Sequence, residues 1–273
     1  MKFDMNKAWA EAIAMIKGNL ELLLIIAGLF FLIPNMVFSL VFPVLPEGFT
    51  GTPQDIALMQ TMMNDFAVNY WWLILLVFTA ILLGWLAMMA LLRDDAKPTV
   101  GTAMTKAVRG LLPSLAVGLI FLFGTSLLQT LLVNIGALSG LPSLAALGGM
   151  TGLIATFVIA IRMTLITPVI VDEPVSSPLK AILRSWRLTQ NNGLRLFAFF
   201  GLIFIAYLVM TAVASIVMSV IMLVIGEGLI GFLASATGGL LASAVLTLLV
   251  AVIASIHRQL GGASTPSVRA HFD

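Results

Sequence analysis

The sequence predicts an all-α, polytopic membrane protein with six transmembrane helices. Hydrophobic residues make up 60% of the 273 residues and charged residues only 10%, whereas soluble domains contain about 45–50% and about 25%. Six stretches stay apolar for about 20 residues or more, the length that a helix needs to cross a bilayer core of about 30 Å. All but one of the basic residues lie at the termini or in alternate connections between these stretches, as expected for a multi-pass membrane protein.

The six predicted spans follow one another along the chain. Backbone groups find no water in hydrocarbon, so apolar stretches of this length are expected to be helices. The alternating strands of a β-barrel are not visible in the sequence. The first span is longer than the core of a secretory signal and follows a segment with Asp4 and Glu11, so we expect it to be retained. The spans cover approximately residues 20–45, 70–92, 111–135, 141–171, 194–225 and 228–256.

The distribution of basic residues predicts the orientation of the spans. Of 14 Lys and Arg residues, all but Arg162 lie before span one, between spans two and three, between spans four and five or at the edge of that connection (Arg195), or after span six. Because connections rich in Lys and Arg stay in the cytoplasm, both termini are predicted to be cytoplasmic. Residues 261–273 would then form a cytoplasmic tail. The predicted location is the bacterial inner membrane.

Three cytoplasmic segments, approximately residues 3–17, 99–110 and 178–190, are predicted to be amphipathic helices lying in the membrane interface. In the third, Leu183 and Trp186 oppose a cationic face formed by Lys180, Arg184 and Arg187. Each segment is followed by a break of Gly, Asn or Pro residues and then by a span. The repeated arrangement could reflect a true internal duplication or a shared architecture only.

One connection on the outer side is also predicted to be helical. Thr52, Pro53 and Asp55 read as an N-cap, a proline at the first helical position and an acidic residue that completes a capping box. The helix is expected to end at residues 70–72, where aromatic side chains fit the interface. The predicted interfacial anchors of the whole chain are Trp9, Trp71, Trp72 and Trp186.

Arg162 is the one basic residue inside a predicted span. It precedes Asp172 by ten residues, which places its Cα about 15 Å from the cytoplasmic boundary. A cation deep in a span costs at least about 2.5–3.5 kcal/mol, so something should compensate for it. One interpretation is an internal brace, through backbone carbonyls or through a carboxylate of Glu21, Asp172 or Glu173. The other is a lipid phosphate, which a planar guanidinium binds in a bidentate manner.

The chain lacks the residue patterns of an enzyme. It contains no cysteine, and neither His257 nor His271 belongs to a metal-ligand pattern. No nucleophile elbow, phosphate-binding loop or dinucleotide fingerprint is present. We therefore expect no enzymatic activity, no metal or other cofactor, and no nucleic-acid partner.

Two neighbouring motifs carry a resemblance to a known family. Residues 162–173 read RMTLITPVIVDE and residues 181–191 read AILRSWRLTQN. They resemble the membrane domain of bacterial glycerophosphoryl diester phosphodiesterases and related inner-membrane proteins: an arginine, a proline and an acidic residue end a span, and an Ala-x-x-Arg-Ser-x-x-Leu-Thr helix follows. In fused members a separate soluble domain carries catalysis, and this chain contains no such domain. The resemblance therefore implies a membrane module associated with glycerolipid or envelope homeostasis.

The leading hypothesis is a non-enzymatic inner-membrane protein that binds or organises phospholipids. The candidate headgroup-binding residues are Arg162, Lys180, Arg184 and Arg187. One alternative is a transporter or flippase-like permease of a small or lipidic substrate, with a polar cavity lined by Asn35, Gln129, Asn134 and Arg162. Another is a structural subunit that binds a second membrane protein through small residues. The sequence leaves the oligomeric state open.

Overall fold

The protein is all-α, as the sequence predicts. The computed structural model describes residues 2–44, 48–93, 99–172, 177–225 and 227–261, and within these ranges nearly every residue is helical and none lies in a strand. A π-helical turn, Gly28–Leu32, joins α2 to α3. Helices α1 to α10 are, in order, Met5–Gly18, Leu20–Ala27, Ile33–Val41, Pro53–Arg93, Val100–Leu138, Pro142–Met163, Ile166–Asp172, Pro178–Thr189, Gly193–Ile225 and Glu227–Leu260.

Six helical segments of these described ranges are long and apolar enough to cross a membrane. Their most apolar windows have mean hydropathies between 2.1 and 2.6. The chain therefore has the helix lengths and composition of a multi-pass membrane protein. The segments are Leu20–Val41, Pro53–Arg93, Val100–Leu138, Ser143–Val171, Gly193–Ile221 and Gly231–Leu260.

The first span contains a local widening of the helix next to its proline. Pro34 lies at the start of α3 and has no N–H to donate to a carbonyl one turn earlier. In the π-helical turn just before it, the N–H of Ile33 bonds to the carbonyl of Gly28, five residues back. A π-turn of this kind is a common way to accommodate a disturbed hydrogen-bond ladder within one continuous span.

Helix α4 contains the predicted outer helix and the second span. The hydroxyl of Thr52 accepts a bond from the N–H of Asp55 at 3.2 Å, and the Asp55 carboxylate accepts from the N–H of Thr52 at 3.1 Å. This reciprocal pair is a capping box. The helix then runs to Arg93 with one non-helical residue, Tyr70 (φ −119°, ψ 20°). The kink lies where the sequence places the end of the outer helix.

Helix α5 differs from the prediction. Residues 99–110 were expected to form a helix separated from the third span by a break at Gly110 and Pro113, whereas α5 is continuous from Val100 to Leu138. Gly110 is buried, and a Cβ at this position would lie 3.5–3.7 Å from side chains of Ile170 and Leu86. These are ordinary van der Waals distances, and the glycine does not end the helix. Proline is tolerated inside membrane helices because the surrounding structure satisfies the freed carbonyl.

The fourth span is divided next to Arg162. Helix α6 ends at Met163 and α7 begins at Ile166, with a turn between them. Pro168 follows in α7 and cannot donate to the carbonyl of Thr164, which accounts for the interruption. The turn lies immediately beside the one basic residue of the span.

The helices group into two compact units, each assembled from separate stretches of the chain. The first comprises Met1–Asn19, Leu86–Phe204 and Leu248–Asp273. Its core includes the last turns of α4 and α10, where residues 86–92 and 250–257 are all buried. The second comprises Leu20–Trp85 and Ile205–Thr247. In it, Gly239 of α10 packs against Leu32 and Met36 of the first span.

Within the first unit, glycines bring α5 and α6 into backbone contact. A Cβ at Gly148 would overlap the backbone carbonyl of Leu132, and one at Gly152 would overlap the Gln129 side chain. The Gln129 amide donates to the carbonyl of Gly149 at 3.1 Å. Small residues promote such close helix pairs in membranes, and here they serve a contact inside the chain.

Candidate lipid-facing surface at helix α8

Helix α8 packs on the first unit through small residues. Ala181, Ser185 and Thr189 recur every four residues and are each 0% exposed, so they lie on one face of the helix. Ala181 belongs to a hydrophobic cluster with Val117 of α5 and Val169 of α7. This face holds α8 against the ends of the neighbouring helices.

The exposed part of α8 has two chemically distinct faces. Leu179, Leu183 and Trp186 are 60%, 55% and 43% exposed. Three cationic residues beside them are exposed as well. An apolar face next to a cationic face is typical of a helix that lies in a membrane interface. We call these six residues the α8 surface: Leu179, Lys180, Leu183, Arg184, Trp186 and Arg187.

Helix α1 is packed in the same manner. Ala8 and Ala12 are 0% exposed, whereas Trp9 is 44% exposed. The hydroxyl of Ser255 in α10 donates to the carbonyl of Ala8 at 3.0 Å and to the Glu11 carboxylate at 3.2 Å. Both short helices of the first unit therefore bury small residues; α1 buries Met15 as well and leaves Trp9 exposed.

Arg162 connects the end of α6 to the end of α8. Its Nη1 donates to the carbonyl of Thr189, the last residue of α8, at 2.6 Å. The last carbonyls of a helix lack partners within the helix, and a cation near them is favourable because of the helix dipole. The carbonyl of Arg162 in turn accepts a bond from the hydroxyl of Ser185 at 2.7 Å.

The guanidinium of Arg162 also lies between an aromatic ring and a glycine. Its Cζ is 5.8 Å from the centre of the Trp186 ring, within the range of a cation–π contact. On another side, a Cβ at Gly193 would come 3.3 Å from Nη2. The side chain is half-buried. Arg162 thus has the geometry of a brace that joins α6, α8 and the start of α9, and it keeps a partly exposed surface.

The carboxylates predicted as partners of Arg162 remain predictions. Glu173 and the side chain of Asp172 lie outside the described residues. Glu21 lies in the first turn of α2 and belongs to the second unit. The partner that the structure gives the guanidinium is a carbonyl, one of the two compensations expected for an internal brace.

The junction between α8 and α9 also binds the N-terminal segment. Asn191 adopts a left-handed conformation with φ 69°, and the next residue, Asn192, is 4% exposed. The Asn192 side-chain oxygen accepts from the N–H of Phe3 at 3.0 Å, and Arg195 donates to the carbonyl of Phe3 at 3.3 Å. A run of Asn and Gly is typical of a helix end, but nothing in the sequence links it to Phe3.

A second group of basic residues lies where α4 and α10 end. Arg93 contacts Nδ1 of His257, and Arg258 donates to the carbonyl of Leu92 at 2.9 Å. Sequence analysis missed this group, because Arg93 and His257 are 164 residues apart and no local pattern connects them.

Three of the polar residues considered for a permease cavity donate hydrogen bonds to backbone carbonyls. Asn35 donates to the carbonyl of Phe31 at 2.7 Å and Asn134 to that of Thr130 at 2.8 Å, each within its own span. Gln129 bonds to a carbonyl of α6. Gln129 and Asn134 are five residues apart on α5 and so point in directions about 140° apart. Gln129 and Asn134 therefore lie on different faces of α5, and the permease alternative remains a prediction.

Across the described ranges, no group of three or more His, Asp or Glu side chains could hold a metal ion.

The comparisons with known proteins identify no relative. No protein-family model matches the chain, and no curated protein and no solved structure matches it.

Proposed function

We propose that this protein is a non-enzymatic protein of the bacterial inner membrane that binds or organises anionic phospholipids through the α8 surface. The proposal depends on one observation: α8 packs inward through small residues and exposes three large apolar side chains beside three cations. Full burial of a large apolar side chain contributes about 1.5–3 kcal/mol of free energy relative to leaving it in water, so exposing these three side chains to water is unfavourable. In the interface they enter the acyl region while the cations meet lipid phosphates.

The proposed orientation places the α8 surface on the cytoplasmic leaflet. Connections rich in Lys and Arg remain cytoplasmic, and this leaflet carries anionic lipids. Both termini would then be cytoplasmic, and Trp9 and Trp186 would anchor their helices at the same interface. The tendency of cations and anionic lipids to share one side of the membrane supports this arrangement.

We also propose a link to the membrane domain of glycerophosphoryl diester phosphodiesterases, on the sequence resemblance alone. The resemblance includes Arg162 in its first motif and Ser185 and Thr189 in its second. In the structure these three residues are joined by hydrogen bonds, so the two motifs contact each other in this chain.

Native mass spectrometry of the purified, delipidated chain tests the proposal with phosphatidylglycerol and phosphatidylcholine as probes. Each cation near an anionic surface contributes about 1 kcal/mol. The triple variant Lys180→Gln/Arg184→Gln/Arg187→Gln should therefore lose about 3 kcal/mol of phosphatidylglycerol binding, roughly a hundredfold. Phosphatidylcholine binding should change little.

A matched variant removes three cations from other elements of the first unit: Lys2→Gln/Lys17→Gln/Arg109→Gln. We expect it to retain most phosphatidylglycerol binding. Equal losses in the two triple variants would mean that net charge alone attracts the lipid, and the α8 surface would then have no special role. A wild-type chain that binds neither lipid would overturn the proposed function.

A further inference from the structure

We propose that Asn192 is a positioning residue of the lipid site: by holding Phe3, it couples the docking of the N-terminal segment to phospholipid binding at the α8 surface. The N-terminal segment is defined here as residues 2–4, which precede α1. This inference rests on the proposed function and concerns how the same site is regulated.

Phe3 is bound by three separate contacts at the start of α9. Its N–H donates to the Asn192 side chain at 3.0 Å, and its carbonyl accepts from Arg195 at 3.3 Å. Its ring lies 5.6 Å from that of Phe199 in an edge-to-face arrangement, which is favourable for an aromatic pair. Phe3 is 3% exposed. A segment that precedes the first helix is thus docked through its backbone and its side chain together.

The same asparagine also contacts the end of α8. Its backbone N–H donates to the carbonyl of Thr189 at 3.2 Å, and this carbonyl also accepts from Arg162. The hydroxyl of Thr189 donates to the carbonyl of Trp186, a member of the α8 surface, at 3.2 Å. An unbroken series of hydrogen bonds therefore runs from Phe3 through Asn192 and Thr189 to the α8 surface.

Undocking of the N-terminal segment would disturb this junction. It would remove Phe3 from the side-chain oxygen of Asn192, and Asn192 is 4% exposed. Loss of a hydrogen bond by a buried polar group is unfavourable. The preceding residue, Asn191, holds a left-handed φ of 69°, a conformation that is uncommon outside glycine and depends on the surrounding contacts. We therefore expect the end of α8 to loosen when the segment undocks.

Lipid binding and docking should then favour each other. Phospholipid binds more tightly to the α8 surface when the end of α8 is held, so bound phospholipid in turn favours the docked segment. Thermodynamic linkage makes these two effects equal: docking strengthens lipid binding by the same factor by which lipid stabilises docking. Hydrogen exchange measures local opening of this kind, and the amide of Phe3 reports it directly because it is the donor to Asn192.

Two measurements on the delipidated full chain in detergent test the two directions of the linkage. In hydrogen exchange, saturating phosphatidylglycerol should slow exchange at the Phe3 amide by about fivefold or more. In native mass spectrometry, Asn192→Ala should weaken phosphatidylglycerol binding by a similar factor, although it removes no side chain of the α8 surface. Asn192→Asp keeps an oxygen acceptor for the N–H of Phe3 and should restore most of the binding.

The matched control is Ser255→Ala. It also removes a hydrogen bond of the α1 region, since the Ser255 hydroxyl donates to the carbonyl of Ala8 at 3.0 Å, but it leaves the contact between Phe3 and Asn192 in place. Binding of phosphatidylglycerol should therefore change by less than about twofold, as expected for an independent site.

Three results would overturn the inference. One is faster exchange at Phe3 in Asn192→Ala with unchanged phosphatidylglycerol binding, because the contact would then be structural only. Another is an equal loss of binding in Asn192→Ala and Ser255→Ala. The third needs no variant to fold: a wild type that binds phosphatidylglycerol without any change in exchange at Phe3 refutes the coupling and leaves the proposed function standing.

Discussion

Replacing Arg162 by glutamine tests whether this residue acts as a brace. The variant removes a bond from a charged donor to the Thr189 carbonyl, worth about 1.5–3 kcal/mol. It also removes a cation from the end of α8, worth about 0.3–1 kcal/mol, and a contact with Trp186, worth about 0.5–1 kcal/mol. These contributions overlap, so we expect the free energy of unfolding to fall by about 2–3 kcal/mol. Arg187→Gln, an exposed change in the same helix, should stay within about 0.5 kcal/mol.

Tryptophan fluorescence monitors the unfolding of the full chain in detergent. Phosphatidylglycerol binding is measured separately, at a temperature where all variants are folded. A brace predicts a large loss of stability and a small loss of binding for Arg162→Gln. Arg162→Lys, which keeps the charge but not the planar group, should recover part of the stability. The brace is refuted if Arg162→Gln is as stable as Arg187→Gln and binds less phosphatidylglycerol than the wild type. Arg162 would then be a headgroup ligand.

Further predictions concern packing, the N-terminal contact and salt. Gly148→Ala should lower the free energy of unfolding by about 1–3 kcal/mol because its Cβ would overlap the Leu132 carbonyl. The control Gly124→Ala, whose Cβ would meet nothing within 4 Å, should be neutral or stabilising. Thermal unfolding compares the two variants. Asn192→Ala should cost about 1–3 kcal/mol by leaving the buried N–H of Phe3 unpaired, and amide exchange at Phe3 should accelerate in the same variant. Raising the salt from about 0.05 to 0.5 M should weaken phosphatidylglycerol binding severalfold through screening, and unchanged binding in titrations at both salts would contradict an electrostatic site.

The spans could be predicted because they depend on a property summed over many residues. About 20 apolar residues in sequence leave a chain few alternatives to a membrane helix, whatever their neighbours are. The start of α4 was equally readable, since a capping box involves only residues three apart. Such patterns depend only on residues that are close in sequence, so they can be recognised without knowledge of the tertiary contacts.

The contacts of the candidate site could not be read in the same way. Arg162 needed compensation on physical grounds, but its choice of the Thr189 carbonyl depends on where the turn after α6 places α8. The contact of Arg93 with His257 joins residues 164 positions apart. Gly110 was misread in the other direction, since a residue type that often ends helices lies inside the continuous helix α5.

The way α8 is held bears directly on lipid binding. A two-sided amphipathic helix, apolar below and cationic above, would be ordered only when it meets the membrane, and that ordering would cost conformational entropy. Helix α8 has a third face of small residues that fixes it to the protein, and Arg162 fixes its last turn. The helix that carries its cations is therefore held in place before a lipid arrives. In the proposed function, this order lowers the entropic cost of binding and lets the cations favour some arrangements of phosphates over others.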